Sequence, residues 1–291
     1  MRPSNPSLLK LLALPLSQSK STTHPPPFLL HAVRQSLQSA SVDAKRQDQP
    51  IATRYAHKAI DKAADLWAGL GKADEGTWKR RAYVLGERMM DRIEYEEWAL
   101  KAIDPALAPK LVSSKDSARV KETVDVLFPA SLLDDKALLS SLKASLEHRE
   151  PHHRSAMMKC LAFAPLTLPF AVIPVVPNFP LFYVLWRAWS HFRAWKASHY
   201  LSSLIGSPSL RLLPSSDLDS IYSSSSHPSP PRLLLTPDRV TIIVERFKMD
   251  DEERKELERA VGQSEKRLEQ VKKQERESGT QKTVLEEQKK D

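Results

Sequence analysis

The most informative hydrophobic pattern of the chain is the run at residues 160–186, where no side chain carries a formal charge. A run longer than about 18 apolar residues is typical of a membrane span. Five prolines interrupt it, and each removes a backbone donor and disrupts a helical turn. The pattern therefore predicts a helical hairpin that enters the bilayer or crosses it incompletely. One bent span and a buried pair of soluble helices are the alternatives.

The break between the two arms of the hairpin is predicted at Pro174, Pro177, Asn178 and Pro180. Prolines this close together exclude a helix, whereas Asn178 suits an N-cap with Pro180 in the first turn that follows. Gly206 suits the position just after a helix end. The second arm is thus predicted from about Phe179 to Ile205, and the first from about Arg154 to Ile173.

A segment rich in tryptophan and cations follows the break. It comprises Trp186, Arg187, Trp189, Arg193, Trp195 and Lys196. Tryptophan rings with neighbouring cations are typical of a membrane–water interface, and we expect these six residues to lie there. The same residue types stack on nucleic-acid bases, but a nucleic-acid site does not account for the apolar run. No nucleic-acid partner is therefore expected.

The chain before the hairpin is predicted as an N-terminal helical region over residues 51–150, because apolar positions recur there at helical spacing. Within it we expect helices at about Thr77–Ile103, Asp116–Leu127 and Asp134–His148. The hairpin itself occupies residues 151–206.

Residues 1–50 are predicted as a largely flexible leader. They contain no acidic residue before Asp43 and are rich in serine, which is typical of an organelle transit peptide. A solvated leader without a targeting role is the alternative.

The chain after the hairpin begins with a Ser/Pro-rich linker, residues 207–235, which we expect to be flexible or extended. Residues 236–291 are predicted as charged C-terminal helices with a disordered end. Thr236 and Asp250 are the expected N-caps, and a strand at the segment VTIIV is the alternative to the first helix. The alternating charges of the second helix favour a solvated helix or a weak coiled coil.

Composition supports a mostly α fold. Helix-favouring residues dominate, and the chain has only 7 glycines against 22 prolines. The net charge is +8, and the basic excess lies before Glu245, outside the charged C-terminal segment. The single cysteine, Cys160, excludes an internal disulfide framework and a multi-cysteine zinc site. The fold class is therefore predicted as a mostly α, membrane-associated protein built on a Pro-broken hydrophobic helical hairpin, with an N-terminal helical region and a C-terminal charged helix.

Three groups of residues were weighed as chemical sites. The segment GLGKADEG lacks the spacing and the preceding strand of a nucleotide loop. The histidines at 148, 152 and 153 with Cys160 resemble a metal site, but Pro151 is expected to break the helix between them, so a solvated turn is favoured. Glu94, Glu96 and Glu97 are read as a solvated helix face. No enzyme activity, catalytic residue, cofactor or metal is predicted.

Several segments resemble one known family, the mitochondrial K⁺/H⁺ exchange-related proteins of fungi. The main similarity is the Pro-rich apolar run PLTLPFAVIPVVPNFPLFY together with the RAWSH segment after it. RIEYEEWALKAI at 92–103, VLFPASLL at 126–133, LLALPLS at 11–17 and LTPDRV with its ERF are weaker similarities. Together they cover roughly residues 11–273, and the main motif is long enough to be specific.

The resemblance implies a mitochondrial inner-membrane protein connected with K⁺/H⁺ exchange, and thus with matrix K⁺, volume and pH. It implies no catalytic residue. Because residues 160–186 contain no Asp, Glu or His to carry a proton, we expect an auxiliary or assembly component of the exchange. An ion-conducting oligomer that exchanges K⁺ for H⁺ by itself, and a membrane-bound scaffold without a transport role, are the alternatives. The expected partners are the lipid bilayer and a membrane protein or further copies of the chain, with K⁺ as a possible ligand.

Overall fold

The computed structural model describes residues 9–18, 26–33, 62, 65–105, 108, 123–167, 179–223 and 230–287. Its strands are β1 (Leu9–Pro15), β2 (Ser17–Gln18), β3 (Phe28–Ala32), β4 (Val124–Phe128), β5 (Leu210–Pro214) and β6 (Arg232–Leu233). Its longer helices are α1 (Trp78–Met90), α2 (Tyr95–Ala102), α3 (Asp135–Phe163), α4 (Phe179–Ile205), α5 (Ser216–Ser223), α6 (Pro237–Phe247) and α7 (Asp251–Glu287). Residues 65–71 are also helical.

A mixed four-stranded sheet lies at the centre of the fold, in the order β3-β1-β4-β5. Strand β1 pairs antiparallel with β3 and parallel with β4, and β4 pairs parallel with β5. A second sheet of two short strands, β2 and β6, pairs antiparallel. The sequence analysis predicted no sheet. Residues 124–127, expected at the end of a helix, belong to β4, and the expected leader contains the central strand β1.

Strand β1 is buried on both faces, which explains its uninterrupted apolar sequence. Successive side chains of a strand point to opposite faces. Leu11 and Ala13 therefore enter one hydrophobic core, while Leu12 and Leu14 enter the other. A strand buried in this way reads as a continuous hydrophobic run and gives no alternating signal.

Helices α3 and α4 pack antiparallel to each other and close one face of the sheet. One hydrophobic core contains Leu11 and Ala13 of β1 together with leucines of both helices. These are Leu138, Leu142 and Leu146 of α3 and Leu201 and Leu204 of α4. The bounds of α4 agree with the prediction for the second arm. Helix α3 begins after its N-cap Asp134, as predicted, but it then continues to Phe163.

Pro151 lies inside α3, where we predicted a break between two helices. The proline removes one backbone donor, but the helix continues because its apolar residues on the N-terminal side of Pro151 are held against the sheet. Packing in the folded protein has here overridden a local helix-breaking residue. The predicted breaks at Pro174, Pro177 and Asn178 lie outside the described residues. Pro180 is in the first turn of α4, as expected, and its side chain is not described.

The predicted class of a membrane-associated helical protein is wrong. Across the residues described, no helix is both long enough and apolar enough to cross a bilayer. Helices do predominate, but the apolar faces of α3 and α4 are used against the central sheet. The described apolar residues of the run 160–186 do not enter this core, and Leu161, Phe163, Leu166, Phe182 and Leu185 are exposed.

The C-terminal helices begin at the predicted caps. The Thr236 hydroxyl accepts a hydrogen bond from Arg239 N, and Pro237 occupies the first helical position of α6. The segment VTIIV is therefore helical, and its strand alternative is wrong. At the start of α7, Asp250 and Glu253 form a reciprocal capping box, with N···O distances of 2.8 and 2.9 Å.

We predict that Leu11→Ala in β1 lowers the free energy of unfolding by about 2–5 kcal/mol, because it leaves a cavity in a fully buried strand. Leu85→Ala is the control, since Leu85 on α1 is 60 % exposed and should change stability by no more than about 0.5 kcal/mol. Urea unfolding measures both. Equal effects would contradict the central position of β1.

Candidate functional site

Helix α2 buries two charged side chains in the interior of the protein. It is only eight residues long, yet it buries Tyr95, Glu97 and Lys101 along with its apolar residues. It packs against α4, β3 and α7, which explains how so short a helix is held in place. Two of its charges therefore lie in the interior, where each requires partners.

Glu97 is paired with two residues of α4. Arg187 Nη1 and Nη2 lie 2.7 and 3.3 Å from the two carboxylate oxygens, so the guanidinium binds in a bidentate manner. The Ser190 hydroxyl donates to Oε1 at 2.6 Å. Burial alone would raise the pKa of Glu97, but these donors hold it below its ordinary value. Glu97 is therefore a buried carboxylate that stays ionised.

Two histidines extend this network. His191 of α4 lies one turn beyond Arg187, whose Nη2 is 2.9 Å from His191 Nε2. On the other side of the ring, His191 Nδ1 lies 3.1 Å from Nδ1 of His153 on α3. Helices α2, α3 and α4 thus each contribute one polar side chain to a single cluster of Glu97, His153 and His191, which we call the His–Glu cluster.

The hydrogen bonds assign the tautomers of both rings. An arginine can only donate, so His191 Nε2 accepts and its proton is on Nδ1. That proton is donated to Nδ1 of His153, which places the His153 proton on Nε2. Nε2 of His153 is buried and has no hydrogen-bond partner among the described residues.

Burial is the main cause of the lowered pKa of both histidines. It brings the pKa of His153 to about 4, although the charge of Glu97 acts in the opposite direction. Burial also lowers the pKa of His191, again against Glu97, and the nearby Arg187 adds to the lowering. Both rings are thus neutral at physiological pH.

A cavity of about 290 Å³ opens beside the cluster. Its lining includes Glu97, His153, His191 and Arg187 together with His152 and Tyr183. The cluster is therefore buried in the protein but borders a space that a small ligand or water can occupy.

Lys101 lies one turn beyond Glu97 on α2, between two tryptophans. Its Nζ is 3.7 Å from the centroid of the Trp98 ring and 5.3 Å from that of Trp186. Ring faces attract cations, which partly offsets the loss of water. Burial still dominates and lowers the pKa of Lys101 to about 8, with Glu97 acting in the opposite direction.

The six predicted interface residues all lie on α4, but they do not form one surface. Arg187 is bound to Glu97, and Arg193 donates to the backbone carbonyl of Lys101. The rings of Trp189 and Trp195 each contact Phe192 in a tilted arrangement, and the Lys196 ammonium lies 5.1 Å from the Phe192 ring centroid. Part of the predicted interface is thus internal packing, and the membrane role of the six residues stays a prediction.

The His–Glu cluster was not predicted from the sequence. We assigned Glu97 to a solvated face, but it is 5 % exposed, and the helix bearing it is covered by α4. His153 was grouped with His148, His152 and Cys160, none of which joins Glu97. The spacing of Arg187, Ser190 and His191, at i, i+3 and i+4, was the available signal, because it places the three side chains on one helix face.

The C-terminal helix holds α2 from the other side. Gln263 accepts from Tyr95 N at 2.9 Å and donates to the carbonyl of Ile93 at 2.8 Å. Arg267 binds both oxygens of Glu96, at 2.7 and 3.2 Å, and contacts the Tyr95 hydroxyl. The orientation of the cluster therefore also depends on α7.

Comparison with known proteins shows the family to which the chain belongs. The sequence model of the family described as mitochondrial K⁺-H⁺ exchange-related matches residues 10–205. The chain belongs to this family, which confirms the resemblance noted in the sequence and its relation to mitochondrial K⁺/H⁺ exchange. The matched residues include β1 and the whole His–Glu cluster, but not α7.

Two similar proteins are described only as uncharacterized. One, from Schizosaccharomyces pombe, is 28 % identical over 160 residues, which are 55 % of this chain and 66 % of that protein. The other, from Saccharomyces cerevisiae, is 25 % identical over 166 residues, 51 % of this chain and 52 % of that protein. The match thus spans less than two thirds of either relative. No solved structure matches the chain significantly.

Two of the segments on which the resemblance depends lie in contact in the structure. EYEEWALK contains Glu97 and Lys101, and RAWSH contains Arg187, Ser190 and His191. They are separated by 90 residues in sequence at the Arg187–Glu97 hydrogen bond. The two segments of this chain thus contribute Glu97 and His191 to the cluster, whereas His153 comes from α3, outside both.

We predict that Arg187→Met lowers the free energy of unfolding by about 3–5 kcal/mol, because it leaves the Glu97 charge buried without its main partner. Methionine retains an apolar stem, so the effect reports mainly the lost guanidinium. The control is Lys143→Met, which removes an exposed ion pair with Glu147 and should cost less than about 1 kcal/mol. Denaturant unfolding at pH 7 measures both variants, and similar losses would contradict this account of Glu97.

We predict that the stability of the wild type, relative to Lys101→Met, rises between about pH 8 and pH 10.5. In this window the unfolded chain holds the Lys101 proton and the folded protein releases it, because the folded pKa is the lower one. The expected change is about 2–3 kcal/mol. Unfolding curves across this range measure it, with the exposed Lys196→Met as the control. If the difference in unfolding free energy between the wild type and Lys101→Met did not change with pH, the lowered pKa of Lys101 would be refuted.

Proposed function

We propose that the protein is an auxiliary, non-enzymatic component of mitochondrial K⁺/H⁺ exchange that acts at the inner membrane by binding a membrane-protein partner. Family membership supports the connection with the exchange. The observation that carries the role of partner binding is a group of exposed apolar side chains where the end of α3 meets the start of α4.

This apolar tip consists of Met158, Leu161, Phe163, Leu166, Phe182, Tyr183 and Leu185. Phe182 is 64 % exposed and Leu166 65 %. Groups of exposed apolar side chains are typical of interaction sites. The tip lies one to three helical turns from His153 and His191, so a partner bound there contacts the same two helices that carry the cluster.

The charge pattern supports an auxiliary role over an ion-conducting one. An exchanger requires an ionisable group that alternately binds the proton and the cation inside its pathway. Residues 160–186, which carry the apolar character, contain no Asp, Glu or His. The ionisable groups of the His–Glu cluster are instead tied to one another within a protein core.

The apolar tip can be tested in cells that lack the endogenous protein. We expect Leu166→Asp with Phe182→Asp to fail to restore K⁺/H⁺ exchange, measured as the swelling of isolated mitochondria in potassium acetate. The control is Leu85→Asp, which places the same charge at an equally exposed leucine on α1 and should restore exchange as the wild type does. Thermal unfolding of the purified variants should be unchanged, because all three side chains are exposed.

Two outcomes would overturn the proposal. Full restoration by the double variant would show that the tip has no role in exchange. K⁺-dependent proton flux in liposomes that contain only the purified protein would show that it conducts ions itself, with no partner.

A further inference from the structure

We propose that Glu97, His153 and His191 form a binding site for a divalent transition-metal ion, with Zn²⁺ as the best-fitting probe. One ligand atom from each of the three residues lies within 4.8 Å of the others. All three side chains are buried, and each comes from a different helix. The inference goes beyond the proposed partner binding and does not depend on it.

The distances fit a common ligand sphere. The Nδ1 atoms of His153 and His191 are 3.1 Å apart, and tetrahedral zinc with bonds of about 2.0–2.1 Å requires about 3.3 Å between its nitrogens. Glu97 Oε2 lies 3.9 Å from His191 Nδ1, so a carboxylate shift of roughly half an ångström brings it into the same sphere.

The donor set is also chemically suitable. Two neutral imidazoles and one carboxylate are ligands that zinc uses in sites with an open position. The adjacent cavity provides room for a water or a small ligand at that position. Because burial keeps the pKa of both histidines low, neither ring has to lose a positive charge to bind a cation at neutral pH.

Without a metal ion, the proton on His191 Nδ1 lies between the two histidines, and the Arg187 guanidinium lies against Glu97. Both occupy space that a bound ion would need. Metal bound at His191 Nδ1 would require that ring to carry its proton on Nε2. Nε2 could then no longer accept from Arg187, which would keep only its bonds to Glu97. Arg187 is therefore the group that competes with the ion for Glu97 and His191.

The Nε2 atom of His153, which has no hydrogen-bond partner among the described residues, supports a function for the His–Glu cluster beyond packing. A buried imidazole whose second nitrogen lacks a hydrogen-bond partner among the described residues is costly to retain. A residue that only filled the core would be better replaced by an apolar side chain. The atom without a partner is Nε2, whereas Nδ1, the proposed metal ligand, accepts from His191 in the metal-free cluster.

The direct test is calorimetric titration of the purified full-length protein with Zn²⁺, repeated with Co²⁺ to read the ligand geometry from its visible absorption. We expect one ion per chain, and affinity at least about tenfold weaker in His153→Gln and in His191→Gln. The matched control is His152→Gln, which changes a histidine on the same helix that lines the same cavity without belonging to the proposed ligands. It should bind as the wild type does.

A second variant tests the competing guanidinium. Arg187→Gln removes the positive charge beside the site and should tighten Zn²⁺ binding about tenfold. Circular dichroism of the metal-free and zinc-loaded forms establishes that the variant is folded. If it does not fold, the histidine series alone decides.

Three results would overturn the site. The wild type could fail to bind Zn²⁺, or the two ligand variants could bind it as tightly as the wild type. Alternatively, binding could be lost in His152→Gln and retained in His153→Gln. That last result would place the ion on the outer pair His148 and His152, whose ring centroids lie 6.5 Å apart on α3.

Discussion

The buried charge of Glu97 is the constraint around which the helical part of the molecule is arranged. A carboxylate removed from water is stable only if donors reach it, and among the described residues the hydrogen-bond donors to Glu97 are Arg187 and Ser190 of α4. This requirement fixes α2 against α4, places Lys101 between two tryptophan rings and brings His191 to His153 on α3. From the opposite side, Gln263 and Arg267 of α7 hold the same short helix. The ion pair of Glu97 and Arg187 thus joins α2 to α4, and His191 joins α4 to α3.

The sequence predicted the local elements well where the signals were local. The ends of α4, the caps Asp134, Thr236 and Asp250, and the family were all recognisable from short segments. The sheet was not, because β1 pairs with a strand more than a hundred residues away and its double-sided burial removes the alternation that identifies a strand. The His–Glu cluster was missed for a related reason. Glu97 looks solvated within its own helix, and the packing of α2 on α4 buries it.

The function proposed here and the metal site involve the same pair of helices in different ways. At one end, α3 and α4 expose apolar side chains of the kind that a partner covers. Further along, the same helices hold two facing imidazoles against a carboxylate. Both features are thus built on the same packed pair of helices.

The position of β1 has a consequence for how the chain acquires its fold. The neighbours of this strand in the sheet include β4, and the Tyr222 hydroxyl donates to the carbonyl of Pro15 across 207 residues. Contacts so distant in sequence form slowly, whereas α3 and α4 can dock as soon as both have been synthesised. The insertion of β1 between β3 and β4 is therefore expected to be a late step of folding that completes the domain.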